Sequence, residues 1–215
     1  MIGRHLKSKP GLRILDVGCG DGLFFDRLAE FGIAEGIEPD EALVNPQGPH
    51  RAQIKIVPFD TNFRSPQPYS LVLMLDVLEH LDNPDEALQH AHSLLAPSGA
   101  LLLTVPAFQA LWTNHDTINH HRLRYRRGTL VPMLQRAGFA VLEERYWYQW
   151  TCPVKLGIRL WERILRRRPA VARVPPAWIN CPLYWISRAE QRTLAAIGTP
   201  FGSTLMVYCA RRSAP

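Results

Sequence analysis

Residues Ile14-Leu15-Asp16-Val17 form an apolar run with one carboxylate, and it ends in Gly18-Cys19-Gly20-Asp21-Gly22, where every second residue is glycine. Neither a helix nor a strand tolerates glycine at that density, so the chain must turn here. Glycine accepts positive φ and lacks a Cβ, so such a turn can bring backbone close against a ligand. Residues 22–31 then read as a helix whose N-terminus would offer free N–H groups to something polar or anionic. A strand, a glycine turn and a helix commit the chain to a βα unit and hence to a parallel sheet. The spacing is G-x-G-x-G. Leu23 stands where the G-x-G-x-x-G of dinucleotide binders would place its third glycine.

The alternation continues. Strands are expected at residues 12–16, 33–38, 53–57, 70–75, 100–105 and 139–148, with helices at 84–95 and 130–137 and a turn at Pro97-Ser98-Gly99. Residues 70–75 are continuously apolar apart from Ser70, as in a strand buried on both faces. This pattern predicts a doubly wound α/β fold whose ligand lies at the carboxyl ends of the strands, near the point where strand order reverses. After Trp150 the composition shifts to Trp, Pro and Arg. Leu156, Leu160, Ile164 and Leu165 make an apolar stripe beside Lys155, Arg159, Arg163 and Arg166, which is a basic amphipathic helix over 153–168. A second helix is expected over 183–197 and an alternating strand over 203–210. The 215 residues fit a single domain, 1–215, with 150–198 inserted as a helical cap before the last strand.

The net charge of +6 admits an anionic substrate, a nucleic acid or a membrane surface and selects none of them. Residues 1–10 carry no apolar stretch of the kind a signal peptide needs, and the four cysteines are scattered with no C-x-x-C pair. Reduced thiols and a cytoplasmic location are the expectation.

The Asp16-x-Gly18-x-Gly20-x-Gly22 turn after a strand resembles motif I of the class I S-adenosylmethionine-dependent methyltransferases. The resemblance implies a Rossmann-like, mostly parallel seven-stranded sheet with the last strand antiparallel, and S-adenosyl-L-methionine as cofactor. It implies binding by Asp16, Gly18, Cys19, Gly20 and Gly22, and by Glu38 with Pro39 at the end of the second strand, where a carboxylate can accept from both ribose hydroxyls. Phe59 and Asp60, at the end of the third strand, match the pair that meets the adenine. Asp76-Val77-Leu78-Glu79-His80 resembles the family's D-V-L-E-H segment, whose backbone and Asp line the methionine end. Glu79 and His80 are expected to hold that loop.

Asn114-His115-Asp116-x-x-Asn119-His120-His121-x-x-Arg124-Tyr125 follows the fifth strand and resembles an H-D…H…R-Y segment of one methyltransferase subgroup. Methyl transfer to oxygen or nitrogen needs a nucleophile relieved of its proton, and a neutral imidazole suits that task. The catalytic candidates are His115 or His121 as base, Asp116 orienting an imidazole, and Arg124 and Tyr125 gating the cofactor mouth. Two other readings stay open. These residues can simply cap a helix and bind the loop, or His115, Asp116 and His121 can hold a metal. The run lacks the spacing of a known metal site, so no metal is expected.

The aromatic residues of the cap suit a sugar ring, a phenol or an isoprenoid chain, and Arg166-Arg167-Arg168 suits phosphate. The expected activity is methylation, at oxygen, of a small molecule or a lipid- or glycan-linked acceptor, with peripheral contact to the inner face of the membrane through 153–168. A nucleic-acid methyltransferase is the alternative. No [D/N]-P-P-[Y/F] follows the fourth strand, and no stable nucleic-acid partner is expected. A non-catalytic cofactor-binding protein is the third possibility, and the intact glycine turn, Glu38 and Asp60 speak against it.

Overall fold

The computed structural model describes residues 2–5, 11–165, 175–194 and 198–212. The Arg166–Arg168 run and the expected end of the second cap helix, at 195–197, lie outside the described residues. A one-turn helix α1 (Ile2–His5) precedes β1 (Arg13–Val17), α2 (Phe25–Leu28), β2 (Ile33–Ile37), β3 (Ile54–Lys55), β4 (Tyr69–Leu75), α3 (Pro84–Leu94) and β5 (Leu95–Pro106). The short α4 (Asn114–Ile118), α5 (Arg127–Arg136) and β6 (Phe139–Trp147) follow, then α6 (Thr151–Leu165), α7 (Ala177–Arg192) and β7 (Thr204–Arg211).

The strands form one seven-stranded sheet in the order β3-β2-β1-β4-β5-β7-β6. Only β7 is reversed; it pairs antiparallel with both β5 and β6. The chain winds outward from β1 to β3 and then returns to β4 on the other side of β1, so strand order reverses between β1 and β4. One face of the sheet packs Leu88, Leu130 and Leu134 of α3 and α5 against Val72, Met74 and Leu103. The other packs Phe25 and Leu28 of α2 against Ile14, Leu71 and Leu73. Burial on both faces explains why β4 reads as an unbroken apolar run.

The structure departs from the sequence reading in several places. The helix expected over 22–31 is only four residues long. Gly22 sits at φ +76° and residues 21–24 form turns, so the helix cannot begin before Phe25. The edge strand β3 keeps two of its five expected residues, since Pro58 closes it and only β2 offers a partner. The turn at 97–99 appears as a bulge within a longer β5: Tyr69 pairs with Leu95, and Leu71 already pairs with Ala100. Helix α5 starts three residues ahead of the expected Leu130. No helix among the described residues is long and apolar enough to cross a membrane.

Candidate functional site

The glycine turn closes on itself and on the neighbouring strand. Gly18 and Cys19 donate their N–H groups to the Ile37 carbonyl at 2.9 and 3.2 Å, and Gly22 donates to Cys19. Gly20 donates to Glu38 Oε2 and Asp40 donates to Glu38 Oε1, both at 3.0 Å. The buried Glu38 carboxylate therefore ties the turn to the end of β2, and each of its oxygens keeps further acceptor capacity. Gly18, Gly20 and Gly22 all adopt positive φ. At Gly18 an added Cβ would lie 2.8 Å from Val77 Cγ2, so only glycine fits between the two crossovers. Gly18, Cys19, Gly20 and Gly22 thus spend their N–H groups within the turn and on the end of β2.

A cleft of about 460 Å³ opens at the carboxyl ends of β1, β2 and β4. Gly18, Glu38, Pro39, Phe59, Asp76 and Val77 line it together with Leu43, Pro58, His80 and Leu81. Asp16 lies buried beneath it with Oδ2 unpartnered among the described residues. Burial, with the Glu38 charge adding to it, pushes the Asp16 carboxyl up to about 7. Cys19 is also buried, and burial followed by the Asp16 charge pushes its thiol up to about 12. Gly20 and Gly22 shape the turn without lining the cleft. Asp60 lines an adjoining cavity and caps its own turn, accepting from the Asn62 N–H at 2.8 Å. Leu78 is buried behind the wall.

The segment after β5 is organised around Asp116, which is fully buried. Its carboxylate accepts from Arg124 Nε and Nη2 at 2.9 Å, from His121 Nδ1 at 2.9 Å and from the Thr113 N–H at 2.8 Å. Burial alone would raise the Asp116 carboxyl; these hydrogen bonds outweigh it and hold the group well below the usual carboxylate range. Three further bonds stitch this segment to the turn after β4. The Tyr125 hydroxyl donates to the Leu78 carbonyl, the Arg122 N–H to Glu79 and Arg122 Nε to His80, at 3.2, 2.8 and 3.1 Å. His115, Asp116, His121 and Arg124 thus border one cavity of about 600 Å³ with Asp76, Glu79, His80, His120 and Lys155. Burial lowers the pKa of both His80 and His115, which favours neutral imidazoles.

Two sequence expectations are corrected here. Tyr125 is 1% exposed within the core, so it fixes the loop and does not gate a cleft mouth. Asp116 has both oxygens committed to Arg124, His121 and Thr113, which removes it as a ligand in the His115–Asp116–His121 metal reading. One residue escaped the sequence reading altogether. Lys155, counted there among the basic residues of the amphipathic helix, reaches the His115 cavity half-buried, and burial lowers its pKa. Only the packing of α6 across residues 109–111 brings it there, which no local pattern announces.

The strand order, the reversed β7 and the glycine turn on the first crossover are those of the Rossmann-like class I methyltransferases. The family model described as "Methyltransferase domain" matches residues 3–144, more than half of the chain, and the chain belongs to that family. The mitochondrial ubiquinone biosynthesis O-methyltransferase of Bos taurus is 26% identical over 168 residues, covering 72% of this chain and 42% of that protein. The ubiquinone biosynthesis O-methyltransferase of Caulobacter sp. (strain K31) is 29% identical over 104 residues, 43% of this chain and 40% of that one. The match therefore spans less than half the length of these relatives. Among solved structures, an S-adenosylmethionine-dependent methyltransferase from Mesorhizobium loti superposes with a TM-score of 0.62 at 17% identity, covering 98% of this chain and 95% of that one. One from Archaeoglobus fulgidus gives 0.59 at 16%, covering 98% and 91%. Both share the fold.

Proposed function

We propose that this chain transfers a methyl group from S-adenosylmethionine to a hydroxyl of a small-molecule or lipid- or glycan-linked acceptor. The observation that carries the reading is the 460 Å³ cleft, in which a side-chain-free turn at Gly18, the Glu38 carboxylate, the Phe59 ring and Asp76 converge at the switch point. The residues fit the cofactor. Gly18 leaves room for the ligand to approach the backbone, and Glu38 has lone pairs left for ribose hydroxyls. Phe59 offers a ring face to adenine with Asp60 nearby, and Asp76 with the Val77 and Leu78 backbone meets the amino-acid end. Asp16, Cys19, Gly20, Gly22 and Pro39 hold the cradle in shape. When bound, the cofactor supplies a sulfonium-activated methyl group.

The chain's own part is to place the acceptor and take its proton. Asp116 accepts from His121 Nδ1, which fixes the ring and leaves Nε2 as the basic nitrogen. His115 stands on the same cavity as a second imidazole, and burial lowers its pKa. Arg124 locks Asp116 in place, and Tyr125 holds the turn that carries Asp76 through the Leu78 carbonyl; both position rather than react. The relatives' names supply the precedent for a hydroxyl acceptor.

The apolar stripe of α6, with Leu160 and Ile164 60% and 66% exposed beside Arg159 and Arg163, supports peripheral contact with an anionic membrane on the cytoplasmic side. Sedimentation with vesicles containing anionic lipid tests that contact, and no co-sedimentation at low salt overturns it. For the activity, calorimetry with S-adenosylmethionine should give one binding site, and labelled methyl should appear in the lipid, glycan or small-molecule fraction of a cell extract. Label confined to RNA overturns the acceptor class. Replacing His115 and His121 together should abolish turnover and spare cofactor binding, and full activity in that double variant overturns the imidazole base.

A further inference from the structure

We infer that Lys155 anchors an anionic group of the methyl acceptor, a carboxylate or a phosphate, and so makes the chain selective for acidic acceptors. The word acceptor rests on the methyl-transfer reading; the anion site does not. Lys155 borders the cavity of about 600 Å³ that it shares with His115, His121 and Asp76. It is half-buried, and among the described residues it donates no hydrogen bond and closes no ion pair. Arg124, on the same cavity, is by contrast bound to Asp116 through two hydrogen bonds of 2.9 Å. Burial lowers the Lys155 pKa, and the Arg124 charge adds to that. An ammonium drawn out of water with no counter-ion is costly, and an anion beside it offsets both effects.

The cavity's own carboxylates do not fill that role. Asp116 spends its oxygens on Arg124, His121 and Thr113. Burial, with the Asp76 charge adding to it, pushes the Glu79 carboxyl up to about 8, so it keeps its proton at neutral pH. Asp76 accepts from the Thr104 hydroxyl and Asp40 from the Ala42 N–H, both at strand ends. The Asp116 and Asp76 charges do raise the Lys155 pKa, yet burial outweighs them. The placement of the ammonium is fixed by its own helix. Lys155, Arg159 and Glu162 follow at i, i+4 and i+7 on one face of α6. Arg159 Nη1 donates to the Gln109 and Ala110 carbonyls, and Glu162 Oε2 accepts from the Asn114 N–H at 3.1 Å. Both ties grip the segment that leads into His115, so Lys155 is held against the imidazole side of the cavity.

An acidic acceptor would enter with its anionic end on Lys155 and its hydroxyl toward Asp76 and the imidazoles. Lysine meets such a group as a point charge and needs no planar fork. No proton or electron moves at Lys155; it positions and selects. The anionic end lies away from the reacting oxygen and is held equally before and during transfer, so losing the contact should raise KM and leave kcat nearly unchanged.

The test uses the full native chain with benzoate, phenyl phosphate and neutral benzamide as probes. Lysine acetylation mapped by mass spectrometry should show Lys155 shielded by benzoate, by phenyl phosphate or by both, and not by benzamide. Lys55, which pairs with Glu35 at 3.7 Å, should label alike throughout. Whichever anion shields identifies the group. Lys155→Met should weaken calorimetric binding of that anion about tenfold or more, and Lys155→Arg should restore most of it. Labelled methyl from a cell extract should appear in small molecules that an anion exchanger retains, and with that purified acceptor Lys155→Met should raise KM about tenfold at nearly constant kcat. Shielding by none of the probes, or equally by all three, overturns the anchor. Undiminished binding in Lys155→Met shown folded by thermal unfolding overturns it too, and so does label confined to neutral products. Calorimetry with S-adenosylmethionine reports separately on the methyltransferase reading. If the cofactor binds and no anion shields Lys155, only the anchor falls; if an anion shields it and the cofactor does not bind, only the methyl-transfer reading falls.

Discussion

Asp116→Asn removes the charge at the centre of the segment between β5 and α5 while keeping the side chain's size. In the native protein Arg124 is 3% exposed and faces Asp116 through two hydrogen bonds of 2.9 Å. Removing one partner of a buried pair leaves the other charge uncompensated, at about 3–5 kcal/mol. The Thr113 N–H can keep an amide oxygen as acceptor, and Arg124 Nη1 keeps the Ala107 carbonyl at 3.1 Å, so the lower part of that range is expected. In a chain of this size about 3–4 kcal/mol lowers Tm by about 6–15 °C, readable by circular dichroism. The pH dependence has a definite sign. The Asp116 carboxyl is held below its ordinary value, so its contribution is complete above the usual carboxylate pKa and fades as pH falls through the depressed value. The gap between native protein and variant should therefore be flat around neutrality and narrow only in strong acid. Arg124→Met in the Asp116→Asn background removes the orphaned charge, so the double variant should lose less than the two single losses combined. A loss below about 1 kcal/mol at neutral pH, or two losses that simply add, would show that this ion pair does not pin the segment.

Three further outcomes follow from the same structure. Gly18→Ala places a Cβ 2.8 Å from Val77 Cγ2 at φ +68°, so it should cost about 1–2 kcal/mol in backbone strain alone and abolish calorimetric binding of S-adenosylmethionine; unchanged affinity would detach the cleft from the cofactor. The Asp16 carboxyl is raised from 3.8 to about 7, so the folded protein holds a proton that the unfolded chain has released; stability should fall as pH climbs through that window. Asp16→Asn should flatten this decline in urea midpoints, and an unchanged slope would refute the assignment. Cys19, Cys152 and Cys209 are buried and Cys181 is exposed, so a thiol reagent at neutral pH should label one cysteine quickly; three or four fast thiols would contradict the packing.

The parts of this molecule that were legible in the sequence are those fixed by short-range chemistry. Alternate glycines after Val17 force a turn whatever follows, and an unbroken apolar run such as Leu71–Leu75 forces a doubly covered strand. From these the β1–β4 switch point, and with it the neighbourhood of Gly18, Glu38 and Asp76, could be placed. The length of α2 could not, because Leu23 and Phe24 suit a helix and only the positive φ of Gly22 delays it. Nor could the meeting of Glu79 with His121, which are far apart in sequence and joined by the Arg122 and Tyr125 bonds to the β4 turn. Asp116 illustrates the same limit. The sequence suggests that it orients an imidazole, yet its bidentate partner Arg124 turns it from an adjustable carboxylate into a fixed one.

Asp76 shows why a site must form where it does. It ends β4 at φ +54°, a left-handed backbone that a non-glycine residue adopts only when its surroundings insist. Its N–H donates to the Thr104 carbonyl and Oγ1 at 3.0 and 3.1 Å, and its Oδ1 accepts from the Thr104 hydroxyl at 3.1 Å. Strand β5 thus bends the end of β4 so that one side chain borders three spaces: the glycine cleft, the histidine cavity, and an apolar cavity of about 440 Å³ between α2 and the sheet. Asp76 is the residue that all three spaces share, so on the proposed reading a donor held in the first and an acceptor entering through either of the others can meet beside it. Methyl transfer needs such a junction, because the donor sulfur, the methyl carbon and the attacking atom must fall in line at close approach. The doubly wound topology supplies the crevice, and the strained turn at Asp76 opens it to the acceptor side.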